Sequence, residues 1–149
     1  MSIWFKLSDS ALAELKAHGR NTMLAHLGVE FLEVGPDFLT GRLPVDARTH
    51  QPLGMLHGGA TAMLAETLAS EAATMTIDQS RQRTLGLELN INHIRSKREG
   101  WVTGTAKPIH LGRSTQVWEV RVVDERNKLV AIARVTMAVQ NAPTVMKNG

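Results

Sequence analysis

The stretch that decides the fold is Gln51-Pro-Leu-Gly-Met-Leu-His-Gly-Gly-Ala-Thr-Ala-Met-Leu-Ala-Glu-Thr-Leu-Ala-Ser70. From about Gly59 to Ile77 the chain is rich in Ala, Leu, Met and Thr and free of proline. That length and composition predict a buried helix rather than a strand. A helix that is apolar nearly all round has to be covered on most sides. Within it, Glu66 sits among Met63, Leu64, Ala65, Leu68 and Ala69. A carboxylate buried there is expensive to keep charged. Either Glu66 faces solvent or something uses it, and its apolar neighbours argue for use.

Beyond this helix, Asp78 to Arg83 is a polar turn, and the pattern then changes to period two. Leu85, Leu87, Leu89 and Ile91 are expected on one face of a strand, with Gly86, Glu88, Asn90 and Asn92 on the other. Trp101 to Lys107 and Val117 to Val123 read as further strands. Asp124 to Lys128 turns the chain into a last strand, Leu129 to Val139, with Ala131, Ala133, Val135, Met137 and Val139 on one face. Before the central helix, Ser8 to His18 opens on capping residues and stops at Gly19, as an amphipathic helix would. Asn21 is the expected cap of a brief turn through Leu27. Residues 29–34 and 38–43 form a hairpin about Gly35-Pro36-Asp37, and Asp46 to Leu56 is loop-like. Short connections between consecutive strands favour an antiparallel sheet. The fold class expected is α+β, a curved antiparallel sheet wrapped around one long helix.

Composition narrows the function. A chain of 149 residues, 43% hydrophobic and 21% charged, suits one globular domain. It has no cysteine, which excludes disulfides, thiolate metal sites and cysteine nucleophiles, and fits a reducing compartment. The segment Met1 to Lys6 lacks the apolar core of a signal peptide, and no apolar run reaches the ~18 residues of a membrane span. A cytoplasmic protein with no membrane partner is expected. The net charge of +3 is small and mostly dispersed, with neither a basic stripe nor interleaved aromatics, so nucleic acid is not an expected partner. The exception is Arg95-Ser-Lys-Arg98, with Lys107, His110 and Arg113 following. That patch is either a solvated basic turn or a seat for a small phosphorylated ligand.

The chemistry concentrates at His57-Gly-Gly59. Glycines at a helix start let a ligand approach backbone N–H groups that have no intrahelical partner and sit at the positive end of the dipole. Such a place polarises a carbonyl or holds an oxyanion, though a tight turn alone would also need glycine. Glu66 and Ser70 are four apart and share a helix face with Ala62, leaving room for a substrate beside a general base or nucleophile. Burial would raise the Glu66 pKa, and hydrogen bonds from Ser70 or Thr67 would lower it. His57, His93 and His110 lack close ligand spacing, so no metal site is expected. No Gly-x-Ser-x-Gly elbow, P-loop or dinucleotide fingerprint occurs. Trp4, Trp101 and Trp118 read as packing residues.

Gln51 to Ser70, followed by Gly86 to Ser96, Arg98-Glu-Gly100 and Lys107 to Gly112, resembles the hotdog-fold acyl-CoA thioesterases. The branch it resembles contains the 1,4-dihydroxy-2-naphthoyl-CoA, enterobactin-proofreading and 4-hydroxybenzoyl-CoA enzymes. The resemblance spans about residues 25–140, so residues 1–149 are expected to form one hotdog domain with N-terminal helices over 8–27 and a flexible tail over 141–149. It implies a homodimer with one continuous sheet, a homotetramer of such pairs, and active sites at the dimer interface. By position, Glu66 matches the catalytic carboxylate, Gly58 the glycine whose N–H polarises the thioester carbonyl, and Gln51 the glutamine that orients the thioester. His57 matches a histidine of the same site, and Ser70 a residue that places water or holds the carboxylate. For CoA the resemblance points to Gly86, to His93, Ile94, Arg95 and Ser96, and to His110, Leu111, Gly112, Arg113, Ser114 and Thr115. Related sequences often read Gly-Ser-Arg where this one has Gly112-Arg-Ser114, which alters how Arg113 meets the nucleotide phosphate. CoA would be part of the substrate, with no separate cofactor. An aromatic or hydroxyaryl acyl-CoA hydrolase is the implied activity. The alternatives are a hotdog acyl-thioester dehydratase or hydratase, and an acyl-CoA-binding module without turnover.

Overall fold

A computed structural model of the chain describes residues 1–143. Its elements run α1 (Ala11–His18), α2 (Met23–Leu27), β1 (Glu30–Val34), β2 (Leu39–Pro44), α3 (Gly58–Met75), β3 (Gln82–His93), β4 (Trp101–Leu111), β5 (Thr115–Val123) and β6 (Leu129–Asn141). The six strands form one antiparallel sheet in the order β1-β2-β4-β5-β6-β3. Helix α3 leaves the β1–β2 hairpin, crosses the sheet against β2 to β6, and delivers the chain to β3 at the far edge. This is the expected hotdog architecture.

The sheet covers one side of α3. Leu64, Ala65, Leu68, Ala69, Ala72 and Ala73 are fully buried against it. Alanine lets the helix lie close, and Leu68 supplies the wedge. Gly41 of β2 and Gly104 of β4 face each other in register. A Cβ on either would lie 2.8 Å and 2.7 Å from the two methyl carbons of Leu68. The paired glycines are therefore a notch in the sheet for one leucine. Only Gly59 and Glu66 of α3 are exposed, so the helix is covered on most sides, with one side left open. Gly59, Ala62, Met63, Glu66, Thr67 and Ser70 border an open cavity there.

Strand β3 departs from the period-two reading. A bulge between Gly86 and Glu88 makes Leu87 an extra residue and flips the pleat. Leu89 and Ile91 pair with Val135 and Ala133 on the core side, whereas Leu85 and Leu87 stand 46% and 62% exposed. The four do not share a face. Across the bulge, Thr84 turns towards α3, where its hydroxyl meets that of Thr74 at 2.7 Å.

Smaller corrections follow from local hydrogen bonds. Helix α2 is capped by Thr22, which accepts the Leu24 N–H, while Asn21 takes a left-handed φ of 59°. Near α1, the Ser8 and Ser10 hydroxyls donate to Glu14 rather than capping the helix. Strand β4 runs on to Leu111, so His110 and Leu111 are strand, and the loop is only Gly112 to Ser114. Asn141 ends β6 opposite Gln82 and Ala142 N–H reaches Arg81 O, so the expected loose tail does not begin there. Its remainder, 144–149, lies outside the described residues. Trp4 and Trp118 are buried, donating to Gly35 O at 2.7 Å and Gln116 Oε1 at 3.0 Å. Trp101 packs under the Arg42 guanidinium.

Candidate active site

The N-terminus of α3 is built by the loop before it. The buried Thr49 hydroxyl donates to Pro44 O at 2.7 Å, and Thr49 O accepts the His57 N–H at 2.8 Å. His57 is the N-cap, and its Nδ1 accepts the Gly59 N–H at 2.8 Å. That bond fixes Nδ1 as the lone-pair nitrogen and leaves the neutral ring's proton on Nε2. The Gly58 N–H meets no acceptor among the described residues. It is an orphan donor at the positive end of an 18-residue helix. A Cβ on Gly58 would lie 2.9 Å from His93 Nε2, so the glycine leaves the His93 imidazole room beside the helix start.

Gln51, Gly58, Thr61, His93, Ile94, Arg95, Ser96 and Lys97 line one cavity of about 300 Å³. The residues expected to bind the carbonyl and those of the first CoA segment thus meet. The Gln51 carbonyl oxygen accepts the Leu53 N–H, which leaves its amide NH₂ as a donor. The basic run divides. Lys97 ion-pairs with Glu125 at 2.7 Å. Arg98 donates to Leu53 O and its own carbonyl meets His50 Nε2, so it fastens the 46–56 loop to the β3–β4 connection. The exposed Arg95 makes no ion pair among the described residues.

Glu66 lies elsewhere. It borders a cavity of about 490 Å³ with Gly59, Ala62, Met63, Thr67, Ser70, Glu71, Leu89 and two residues of α2, Met23 and Leu24. It is exposed within the chain, against the burial expected for it, because the sheet takes only the opposite side of α3. Neither Ser70 nor Thr67 bonds to it, and the Thr67 hydroxyl points to Met63 Sδ. Gly86 of β3 passes beside it, where a Cβ would lie 2.7 Å from Glu66 Oε1. Gly86, expected among the CoA residues, belongs beside the carboxylate. Eight residues separate Gly58 from Glu66, about 12 Å along the axis. One acyl carbon cannot meet both in one chain.

The second CoA segment is also remote from the first. His93 pairs with Ala131 and Thr115 with Ala138, seven residues along β6, about 24 Å. His110, Leu111, Arg113, Ser114 and Thr115 are exposed around the β4–β5 turn, which the Gly112 N–H closes on Thr115 O. His57 and His93 flank Gly58 while His110 lies at the other end, and no metal-ligating cluster of three forms among the described residues. Sequence reasoning missed Glu71, a carboxylate directly after Ser70 that lines the Glu66 cavity. The signal was its adjacency on the same helix. No helix among the described residues is long and apolar enough to cross a membrane.

Comparison with known proteins agrees with this geometry. The family model described as Thioesterase superfamily matches residues 53–131. A 1,4-dihydroxy-2-naphthoyl-CoA hydrolase of Escherichia coli is 44% identical over 128 residues, 86% of this chain and 93% of that protein. A protein of Vibrio cholerae named as an esterase is 47% identical over 142 residues, 95% of this chain and 93% of its own. Among solved structures, a mutant thioesterase of Pseudomonas aeruginosa superposes with a TM-score of 0.91 at 44% identity, covering 95% of this chain and all of that one. A Haemophilus influenzae thioesterase gives 0.91 at 39% identity, covering 97% and 99%. With the family model matching residues 53–131 and thioesterase structures superposing over nearly the whole chain, the chain belongs to the hotdog-fold thioesterase superfamily.

Proposed function

We propose that the protein hydrolyses acyl-CoA thioesters, with Glu66 of one copy acting on a thioester whose carbonyl accepts the Gly58 N–H of a second copy. The observation that carries this reading is the separation of the two groups along α3, together with what removes it. A two-fold axis near Ala62 would lay α3 antiparallel against its copy and bring Gly58 opposite the copy's Glu66. Because Gly58 sits over His93 and Glu66 over Gly86, the same axis passes near the middle of β3. It would therefore place Gly86 and the β4–β5 turn of one copy near His93 to Ser96 of the other, uniting the two CoA segments. Strand β3 is a 12-residue sheet edge, the kind of edge that pairs with another chain. A dimer through β3 and α3, further paired into a tetramer, is the assembly proposed.

In that site the Gly58 N–H and helix dipole stabilise charge growing on the thioester oxygen. The Gln51 amide, on the cavity that Gly58 lines, is a second donor, and we assign the His57 Nε2–H to the same carbonyl. Glu66 either attacks the carbonyl carbon, expelling the CoA thiolate and leaving a mixed anhydride for water to open, or takes a proton from a water that attacks directly. Ser70, which borders the same cavity as Glu66, is assigned to hold that water. Arg95 of one copy and Arg113 of the other are the cations for CoA phosphates. An aromatic or hydroxyaryl acyl group is favoured by the likeness to the 1,4-dihydroxy-2-naphthoyl-CoA hydrolase. CoA arrives as part of the substrate, and no further cofactor enters the scheme.

The test is thiol release from a panel of aromatic and aliphatic CoA esters. Wild type is expected to release thiol, and Glu66→Gln and Glu66→Ala to lose about 10³-fold in kcat or more while melting normally. Release by variants at the wild-type rate would remove Glu66 from the chemistry. Wild-type turnover of an enoyl or 3-hydroxyacyl ester without thiol release would point to hydration chemistry instead. Single turnover in heavy-oxygen water separates the two routes, because only the anhydride route puts label into Glu66.

A further inference from the structure

Glu71 is the charged group of α3 that the proposed chemistry leaves unused. It lines the Glu66 cavity and, alone among the described residues, also lines a second cavity of about 640 Å³ between α1 and the C-terminal half of α3. Glu71 Oε1 lies 3.6 Å from His18 Nδ1 on α1, with the Glu71 side chain 23% exposed. Burial pushes its carboxyl above the ordinary range, and His18 pulls it back. Beyond the pair, the second cavity presents Phe5, Ala11, Leu15, Met75 and Ile77 among its walls. Two spaces with substantial apolar lining are thus divided by a carboxylate and an imidazole.

The direction of the acyl group follows from the dimer. A copy seated about Ala62 covers the N-terminal side of the Glu66 cavity. An acyl group with its carbonyl carbon at Glu66 then runs towards Ser70 and Glu71. Glu71 is five residues beyond Glu66, about 7.5 Å along the axis, which is the span of one ring with a small substituent. A longer chain that keeps this direction meets Glu71, the residue shared with the second cavity. Resting on the thioesterase reading above, we propose that the Glu71–His18 pair is the end wall of the acyl cavity and sets the length of acyl group the enzyme accepts. An alkyl chain pushed past it would strip water from a carboxyl and an imidazole and offer no hydrogen bond in return. A compact acyl group stops short of it, and a distal hydroxyl or amino group can donate to the carboxylate.

The experiment measures kcat/KM for thiol release from straight-chain CoA esters, butanoyl to hexadecanoyl, each relative to benzoyl-CoA. Wild type, Glu71→Ala, Glu71→Gln and His18→Ala are compared, with thermal melts to check folding. Glu71→Ala is expected to raise the dodecanoyl to benzoyl ratio by about tenfold or more, the scale on which pockets discriminate by size. Glu71→Gln keeps the side-chain volume and a partner for His18, so it is expected to retain the wild-type cut-off. His18 is mostly exposed, and His18→Ala is expected to move the ratio the same way by a smaller factor. An unchanged length profile in both alanine variants, with wild type active, overturns the wall and leaves the thioesterase reading standing. Absence of thiol release from every ester overturns that reading and the wall with it.

Discussion

Leu64 and Leu68 on one side of α3 and Glu66 and Ser70 on the other are neighbours in sequence with opposite surroundings. The leucines are fully buried, whereas Glu66 is exposed and borders a cavity with Ser70. The sheet-facing side is shaped by complementarity, with small alanines at the contact and Leu68 in a notch of paired glycines. The open side is shaped by omission. Gly59, Ala62 and Ser70 leave room, Glu66 has no hydrogen-bond partner among the described residues, and Gly58 keeps an unused N–H. One helix thus separates the two demands on the chain. Its closed side holds the fold, and its open side carries the groups that the proposed chemistry uses.

The strongest way to break that comparison is to show that the open side is complete within one chain. Glu66→Ala and Gln51→Ala variants, each expected to be nearly inactive, are mixed after unfolding and allowed to reassociate. If each site takes Glu66 from one copy and Gln51 with Gly58 from the other, half the dimers are mixed and each mixed dimer has one intact site. Activity is then expected to return to about a quarter of wild type. No recovery, with mixed dimers verified by tags, would place the whole site in a single chain.

The closed side yields the next largest effect. Leu68→Ala empties the notch between Gly41 and Gly104 and is expected to cost about 3 kcal/mol or more, read as a lowered denaturant midpoint. Activity per folded molecule is expected to stay near wild type. A large loss of kcat in fully folded Leu68→Ala protein would show that the two sides are not separable.

These two sides were unequally legible in the sequence. The central helix and the succession of strands along the chain follow from composition, period and turn residues, because burial against the chain's own sheet writes a repeating pattern. Glu66 stood out for the opposite reason, as a charge breaking that pattern. Its exposure did not follow, because an apolar stripe reads alike whether it packs on its own sheet or on another molecule. The bulge at Leu87 was hidden too. One inserted residue leaves leucines at alternate positions while turning them to different faces, and only the pairing with β6 reveals it. His57 as helix cap was equally unforeseen, since histidine is not among the preferred capping residues.

That cap gives the finest test, because His57 stands where the two sides meet. Its Nδ1 accepts the Gly59 N–H and so orders the first turn, while Nε2–H is left as a donor for the proposed reaction. His57→Ala removes both roles and is expected to cost about 1 kcal/mol of stability as well as lowering kcat. Asparagine is a good cap with no imidazole, so His57→Asn is expected to recover most of the stability while kcat stays low. Recovery of both would reduce His57 to a structural cap, its influence on the reaction passing only through the position of the Gly58 N–H. Recovery of neither would mean that the ring's fit between Thr49 and Gly59, rather than its lone pair, orders the turn. Measuring both quantities on both variants therefore assigns each nitrogen of one ring to one side of α3.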